Sequence, residues 1–351
     1  MDRKFYLDLA ASGLRMPVGT DLVLHEAGDR EAILLDGKRL GGIVQKAAER
    51  YKTPLAFPLM DLTVEKAAIV AALGYDVPEP ASFHFMEPMA PNNLTVLLVR
   101  LAEIETPRMR ANAESLKTVG AESDLVPVGM SIGPFSLMSK LIADPITPLY
   151  LAGAGATAEE EPEVLLVEQC LTIAMCIIRN SLDRQIAAGA KAIFVCEPAA
   201  NIAYISPKQL DLDTNIFERY VMDQNRVLAQ HLHDRGVDLI FHDCGELTDS
   251  MVKAFGTLDP AILSLGSSRK VWEDAPLIPD NTVIYGNMPT KKFYSDTEMP
   301  LRDVVTLAQE IRAKMAKTGH PFILGSECDV LCVNGAEKMI GDKVNAFLTC
   351  A

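Results

Sequence analysis

Short apolar runs rich in Val, Ile and Leu recur along the chain. Most end in a polar residue and give way to a longer stretch with helical spacing. Eight of them read as strands: 16–24 (MPVGTDLVL), 54–60 (PLAFPLM), 125–133 (LVPVGMSIG), 192–198 (AIFVCEP), 239–244 (LIFHDC), 261–266 (AILSLG), 282–288 (TVIYGNM) and 322–328 (FILGSEC). They are nearly continuous in apolar character, as expected of strands covered on both faces. Between most of them lie amphipathic segments that predict helices, at 63–74, 162–189, 215–236 and 301–319. Glycines close these segments, as they do at helix C-termini. Eight strand–helix units without a linker, internal repeat or low-complexity tract predict one domain over 1–351, an α/β (β/α)8 barrel. The stretch 81–99 does not fit a plain unit and is expected to be a small β element inserted near the barrel mouth.

Composition narrows the class. Hydrophobic residues make up 49% of 351 but aromatics only 6%, so the core must be mainly aliphatic. The formal net charge is −14, and no basic cluster interrupts the acidic surface. That balance disfavours nonspecific binding to nucleic acid or an anionic membrane. The most apolar helix, EVLLVEQCLTIAMCII, carries Glu168 and Gln169 in its middle and reads as a buried helix rather than a membrane span. The N-terminal residues are charged throughout, without a signal-peptide apolar core. Seven cysteines without disulfide-scaffold spacing fit a reducing compartment, and the expected location is cytoplasmic.

In a (β/α)8 barrel the chemistry sits where strands end. The candidate ends carry Asp61, Ser131, Glu197, His242 with Cys244, Asn287 and Cys328. One imidazole and two thiols at the ends of the fifth and eighth strands can make a three-ligand zinc site. Three protein ligands leave a fourth position for a reactant, which is the arrangement of a catalytic metal. Cys332 competes with Cys328 for the third place, although its flanks, VLCVNG, suit a packed thiol. Cys170, Cys176 and Cys196 lie in apolar contexts as core residues. His231 and His233 read as a solvated helix C-terminus favourable to the helix dipole. Glu197 and Asp61 are the candidate catalytic carboxylates, with Glu197 expected to point into the mouth; Asp61 can equally cap the helix that follows it. Glu327, beside Cys328, either points away from the metal or tunes it at second hand. The run GAGA at 153–156 lacks the Lys-Ser/Thr of a phosphate loop.

These motifs together resemble the uroporphyrinogen decarboxylase superfamily, and within it the zinc-dependent, corrinoid-linked methyltransferases. GPFSLMSKLI at 133–142 is similar to that family's Gly-Pro-Phe-Thr/Ser helix start. AIFVCEPAANIAYISPKQL looks like its segment of an acidic residue, small residues and Ser-Pro, and IYGNMP resembles its Gly-Asn-Leu-Asp-Pro turn. His242-x-Cys244 with Cys328 matches the methyltransferase zinc pattern. The resemblance implies a Zn2+ enzyme that moves a methyl group between a small-molecule heteroatom, that of a methoxy-aromatic or other methyl ether or of a thiol such as coenzyme M, and the cobalt of a corrinoid. Ser131, Asn287 and Tyr204 are then the candidate substrate-binding residues. The corrinoid would arrive on a transient partner protein, because the Asp-x-His-x-x-Gly motif of corrinoid modules does not occur in this chain. True porphyrinogen decarboxylases carry an arginine motif near the N-terminus for substrate carboxylates, and here that region has only Arg15. A tetrapyrrole carboxy-lyase is therefore the alternative enzyme, and a zinc-storage or corrinoid-binding accessory protein the non-enzymatic one.

Overall fold

The fold was obtained as a computed structural model, and residues 1–75, 80–212 and 215–350 are described. Eight strands form one all-parallel sheet: β1 (Arg15–Val18), β2 (Leu55–Ala56), β3 (Val126–Ile132), β4 (Ala192–Cys196), β5 (Asp238–Asp243), β6 (Ile262–Leu265), β7 (Val283–Met288) and β8 (Phe322–Asp329). The strand order is β1-β8-β7-β6-β5-β4-β3-β2, with helices on the outer face. The sheet curls so that its two end strands approach each other. Side chains span that seam: Thr53 Oγ1 lies 3.1 Å from Met16 Sδ, and Thr20 Oγ1 donates to Phe57 O at 2.6 Å. The architecture is TIM-barrel-like, as the run of eight apolar segments predicts.

The side-chain period of two divides the core into two layers. Met130, Phe194, Ile240, Ile262 and Tyr285 pack inside the curled sheet, and Tyr6 of the helix Arg3–Ala11 joins them. Ile193, Val195, Leu239, Phe241 and Leu263 face the surrounding helices. The helix Pro162–Ala187 is the one long and apolar enough, among the described residues, to cross a membrane; here most of it is buried within the fold.

Several sequence expectations are corrected. The first apolar run divides: β1 stops at Val18, and Thr20–Ala27 is a helix. The expected β element at 81–99 is a 3-10 turn at Pro80–Ser82, one parallel bridge between Phe85 and Ile142, and a helix over Pro91–Glu103. The physical reason lies in the spacing of Leu94, Leu97, Leu98 and Leu101, which is helical, and Pro91 opens that helix at its first turn. His231 is not solvated. It is buried, with Nε2 2.8 Å from Asp183 Oδ1.

The same alternation places Ser131 on the outer face of β3. Its hydroxyl lies 3.3 Å from Glu65 Oε1, which also accepts from Ser181 Oγ at 3.0 Å. Ser131 is thus part of a buried polar cluster between sheet and helices rather than of the mouth. Glu65 Oε2 is buried with no partner among the described residues. Burial pushes the Glu65 carboxyl from its ordinary 4.5 up to about 7. An acid raised in the folded state stabilises the fold below its unfolded pKa, and that contribution is lost as pH rises through the folded value. Stability should therefore fall by on the order of 1–3 kcal/mol between about pH 4.5 and 7 from this group. Glu65→Gln should flatten that dependence, as urea unfolding at pH 5 and pH 8 would show.

Candidate metal centre

On β5, Ile240 points into the barrel and Leu239 and Phe241 point out, so His242 points in again, one step nearer the mouth. Cys244 follows just beyond the strand end, where Gly245 N donates to Asp243 Oδ1 at 2.7 Å and turns the chain. The loop after β6 comes close: a Cβ on Gly266 would stand 2.7 Å from the Cα and O of Cys244, so that contact requires glycine. Cys328 is aimed by a different device. β1 and β8 pair at Met16 with Gly325 and again at Val18 with Asp329, so β8 carries two extra residues in the interval that holds Cys328. Such bulges re-aim side chains at barrel rims.

The result is a cluster in which the ligand atoms of His242, Cys244 and Cys328 all lie within 4.8 Å of one another. His242 is buried and both cysteines are half-buried, so the group is walled on one side and accessible on the other. Cys332 is not part of it; its backbone N donates to Asp21 Oδ2 at 2.8 Å.

The imidazole supplies the test of whether a metal fits. His242 Nδ1 is 2.8 Å from Ser264 Oγ, its neighbour across the β5–β6 ladder. His242 Nε2 is buried and has no hydrogen-bond partner among the described residues. A buried ring nitrogen without a partner is costly, unless its lone pair serves a metal and the other nitrogen is fixed by a neighbour, as metal-bound histidines usually are. The thiols agree. Cys244 is held well below the ordinary thiol range, first by Cys328 beside it and then by His242 and Lys291. Cys328 is pushed up in turn by Cys244 and by burial. The pair holds one negative charge readily and a second only with difficulty, which a divalent cation would relieve. One imidazole nitrogen and two sulfurs form a donor set suited to zinc.

The other strand-end residues divide. Asn287 does point inward on β7, but its Nδ2 donates to Gly266 O at 2.9 Å and to Arg269 O at 2.8 Å, which fixes the loop packed on Cys244. Tyr204 is half-buried, with its ring edge-on to Phe135 at 6.2 Å. Asp61 accepts from Thr63 N and Oγ1 at 3.2 and 2.6 Å and from Arg108 Nε at 3.2 Å, so it serves the turn into the next helix and an ion pair.

Glu197 does not point into the mouth. Its place in the alternation turns it outward, where it is fully buried. Its carboxylate accepts from Phe135 N at 3.1 Å, Ser136 N at 2.8 Å and Asn225 Nδ2 at 2.9 Å. It closes the N-terminus of the helix Pro134–Leu141, a place that favours negative charge. A Cβ on Gly133 would stand 2.1 Å from the Glu197 carboxyl carbon, which gives the Gly-Pro-Phe helix start a packing reason. Glu197→Gln would turn an amide N–H toward one of these donors. It should destabilise the fold by about 1–3 kcal/mol while zinc content stays unchanged. Urea unfolding and elemental analysis of the same sample check this. Unchanged stability with lost activity would return Glu197 to a chemical role.

Sequence reasoning missed Lys291. It lies in the 3-10 turn Thr290–Lys292 after β7, and its ammonium stands beside Cys244. Glu327 holds that turn: Oε1 accepts from Lys291 N at 3.3 Å, and Oε2 accepts from Ser267 N and Oγ at 3.2 and 2.5 Å. The available signal was its place three residues past a strand that ends at the mouth.

The uroporphyrinogen decarboxylase (URO-D) family model matches residues 43–339. The chain belongs to that family. Its fold is also similar to that of a methyltransferase from Methanosarcina mazei, with a TM-score of 0.67 over 98% of both chains at 14% sequence identity. No curated protein sequence matches the chain. At that identity the structural likeness speaks to the fold, which this member of the URO-D family shares across nearly its whole length.

Proposed function

We propose that this protein is a zinc-dependent methyltransferase that moves a methyl group between a small-molecule heteroatom and the cobalt of a corrinoid carried by a partner protein. The observation that carries this reading is the convergence of two sulfurs on a buried imidazole whose Nε2 has no partner among the described residues. Family membership and the fold shared with a methyltransferase support it.

His242, Cys244 and Cys328 would hold the metal, with Ser264 fixing the imidazole so that Nε2 faces the sulfurs. Zinc bound there would supply a Lewis acid in a centre whose metal and ligands together carry no net charge, which lowers the pKa of a coordinated thiol or phenol and polarises a methyl ether or thioether. The protein's part is to hold one thiolate ready at Cys244, to leave the second deprotonation, at Cys328, to the bound metal, to wall off the imidazole side, and to leave the half-buried cysteine side open to the reactant. Asn287 and Gly266 keep the β6 loop packed against Cys244, so that the sulfur does not drift.

The carboxy-lyase alternative is disfavoured by where the arginine points. Arg15 opens β1 at the end opposite the mouth, and its guanidinium donates to Phe347 O at 3.3 Å and Leu348 O at 3.1 Å. It is therefore engaged by the C-terminal helix Glu337–Thr349 and not available to a polycarboxylate in the mouth. The test of the proposal is a screen for methyl transfer to free cob(I)alamin, comparing methoxy-aromatics, methylamines and methylated thiols. Turnover with at least one class supports it. Release of carbon dioxide from a porphyrinogen without methyl transfer would favour the lyase.

A further inference from the structure

The irregular pairing that aims Cys328 is itself held by side chains. Along β8, Ile323 packs inside the curled sheet and Leu324 faces the helices. In a regular strand Cys328, an even number of residues past Leu324, would face the helices too. The two extra residues between the pairs Met16–Gly325 and Val18–Asp329 release it from that alternation, and its sulfur lies with the ligand atoms of His242 and Cys244. Pairing with β7 also ends just before this point, at Met288 with Ser326.

A bulge of this size breaks the ladder, and the freed backbone groups need partners. Pro17, midway through the β1 interval, has no N–H to offer. Tyr285, paired with Ile323 from β7, fills the gap. Its hydroxyl donates to Met16 O at 3.0 Å and accepts from Ser326 N at 3.2 Å, so one bond of the ladder runs through a phenol. Ser326 Oγ lies 3.1 Å from the same hydroxyl and accepts from Val18 N at 3.0 Å. Both side chains are buried, so bulk water is not at hand to replace either hydroxyl. A Cβ on Gly325 would stand 2.1 Å from the Tyr285 ring, so the phenol reaches the bulge only past a glycine. Beyond Cys328 the chain is fixed again: Met60 N donates to Asp329 Oδ2 at 3.2 Å and Val330 N to Val18 O at 2.8 Å.

We infer that Tyr285, acting through Ser326, is a positioning residue of the metal centre: its hydroxyl holds the β8 bulge in the shape that presents Cys328, and so sets the affinity for the metal without being a ligand. This rests on the zinc site proposed above and gives a task to two buried hydroxyls that the chemistry itself does not use. His242 and Cys244 do not depend on the bulge. They are placed by β5, by its pairing with β6 and by the close approach of Gly266. The effect of the hydroxyl on the metal therefore passes through Cys328.

The test is a double-mutant cycle on the full-length protein, with zinc affinity read by competition against a chromophoric chelator. Tyr285→Phe keeps the ring and loses only the hydroxyl. It should weaken zinc binding by about 10–100-fold, the range for partners that orient a ligand. In the Cys328→Ser background the same substitution should change affinity by no more than about 2-fold, because the ligand it positions is gone. With cobalt(II) in place of zinc, the thiolate charge-transfer band of Tyr285→Phe should fall toward that of Cys328→Ser. Val283→Ala opens a cavity lower on β7, away from the bulge. It should lower stability yet leave zinc affinity within about 2-fold. Undiminished affinity in Tyr285→Phe, an equal loss in both backgrounds, or an equal loss in Val283→Ala overturns the inference and leaves the zinc site standing. If Cys328→Ser binds zinc as tightly as the wild type, the zinc site falls and this inference with it. If Tyr285→Phe does not fold, Ser326→Ala, which removes the other hydroxyl, takes its place in the same cycle.

Discussion

Cys328→Ser protein should leave purification with roughly a tenth or less of the wild type's zinc, against about one zinc per chain in the parent. The size follows from how metal sites respond to smaller changes. Loss of an outer partner that only orients a ligand costs about 10–100-fold in metal affinity, so Ser264→Ala, which frees His242 Nδ1, should weaken zinc by that range. Removal of a sulfur that coordinates directly must cost more. Cys332→Ser should retain the metal in full, since Cys332 lies outside the cluster and is tied to Asp21 through its backbone. X-ray absorption at the zinc edge would read the donors themselves: two sulfurs near about 2.3 Å and a nitrogen near about 2.0–2.1 Å. Full occupancy in Cys328→Ser, or a shell of oxygen donors in the parent, would remove the site.

The second large effect separates metal from fold. Chelated wild-type protein and His242→Ala should both lose essentially all methyl transfer, yet keep near-native circular dichroism and a melting temperature within a few degrees of the holo parent. The reason is the size of the core. Eight parallel strands and the helices around them bury an aliphatic interior that does not depend on the centre, unlike a small zinc-folded module. His242 itself sits at the mouth end of that interior. Its loss removes a ring contact to Phe194 at 5.3 Å and the hydrogen bond to Ser264 at 2.8 Å, and not a structural layer. Cooperative unfolding on chelation would assign the metal a structural role.

Much of this was legible in the sequence because both the barrel and the ligand set are written locally. An apolar run covered on both faces looks the same in any parallel barrel, and His242-x-Cys244 lies at the end of one such run. What was not legible depends on which way a side chain turns. Glu197, Ser131 and His242 each stand at or next to a strand end, yet Glu197 and Ser131 face the helices and His242 faces inward, and one residue of register decides which. Cys328 reaches the centre only through the irregular pairing of β8 with β1, which no spacing in one strand reveals. The stretch 81–99 misled because it fits no plain strand–helix unit, while the leucines of its second half keep a helical period. Lys291 escaped notice because a lysine in an exposed turn carries no pattern of its own; only the placement of Cys244 and Cys328 near it marks it.

The central claim is that these three side chains hold a metal that makes methyl transfer possible. Its most direct test is the optical assay for methylcobalamin formation from a donor found active in the screen, run on one preparation in three states: zinc-replete, chelated, and chelated with zinc restored. Turnover is expected in the first, loss of essentially all of it in the second, and recovery in the third, with no recovery when the same sequence is run on Cys328→Ser. A chelated wild-type protein that kept most of its rate would contradict it.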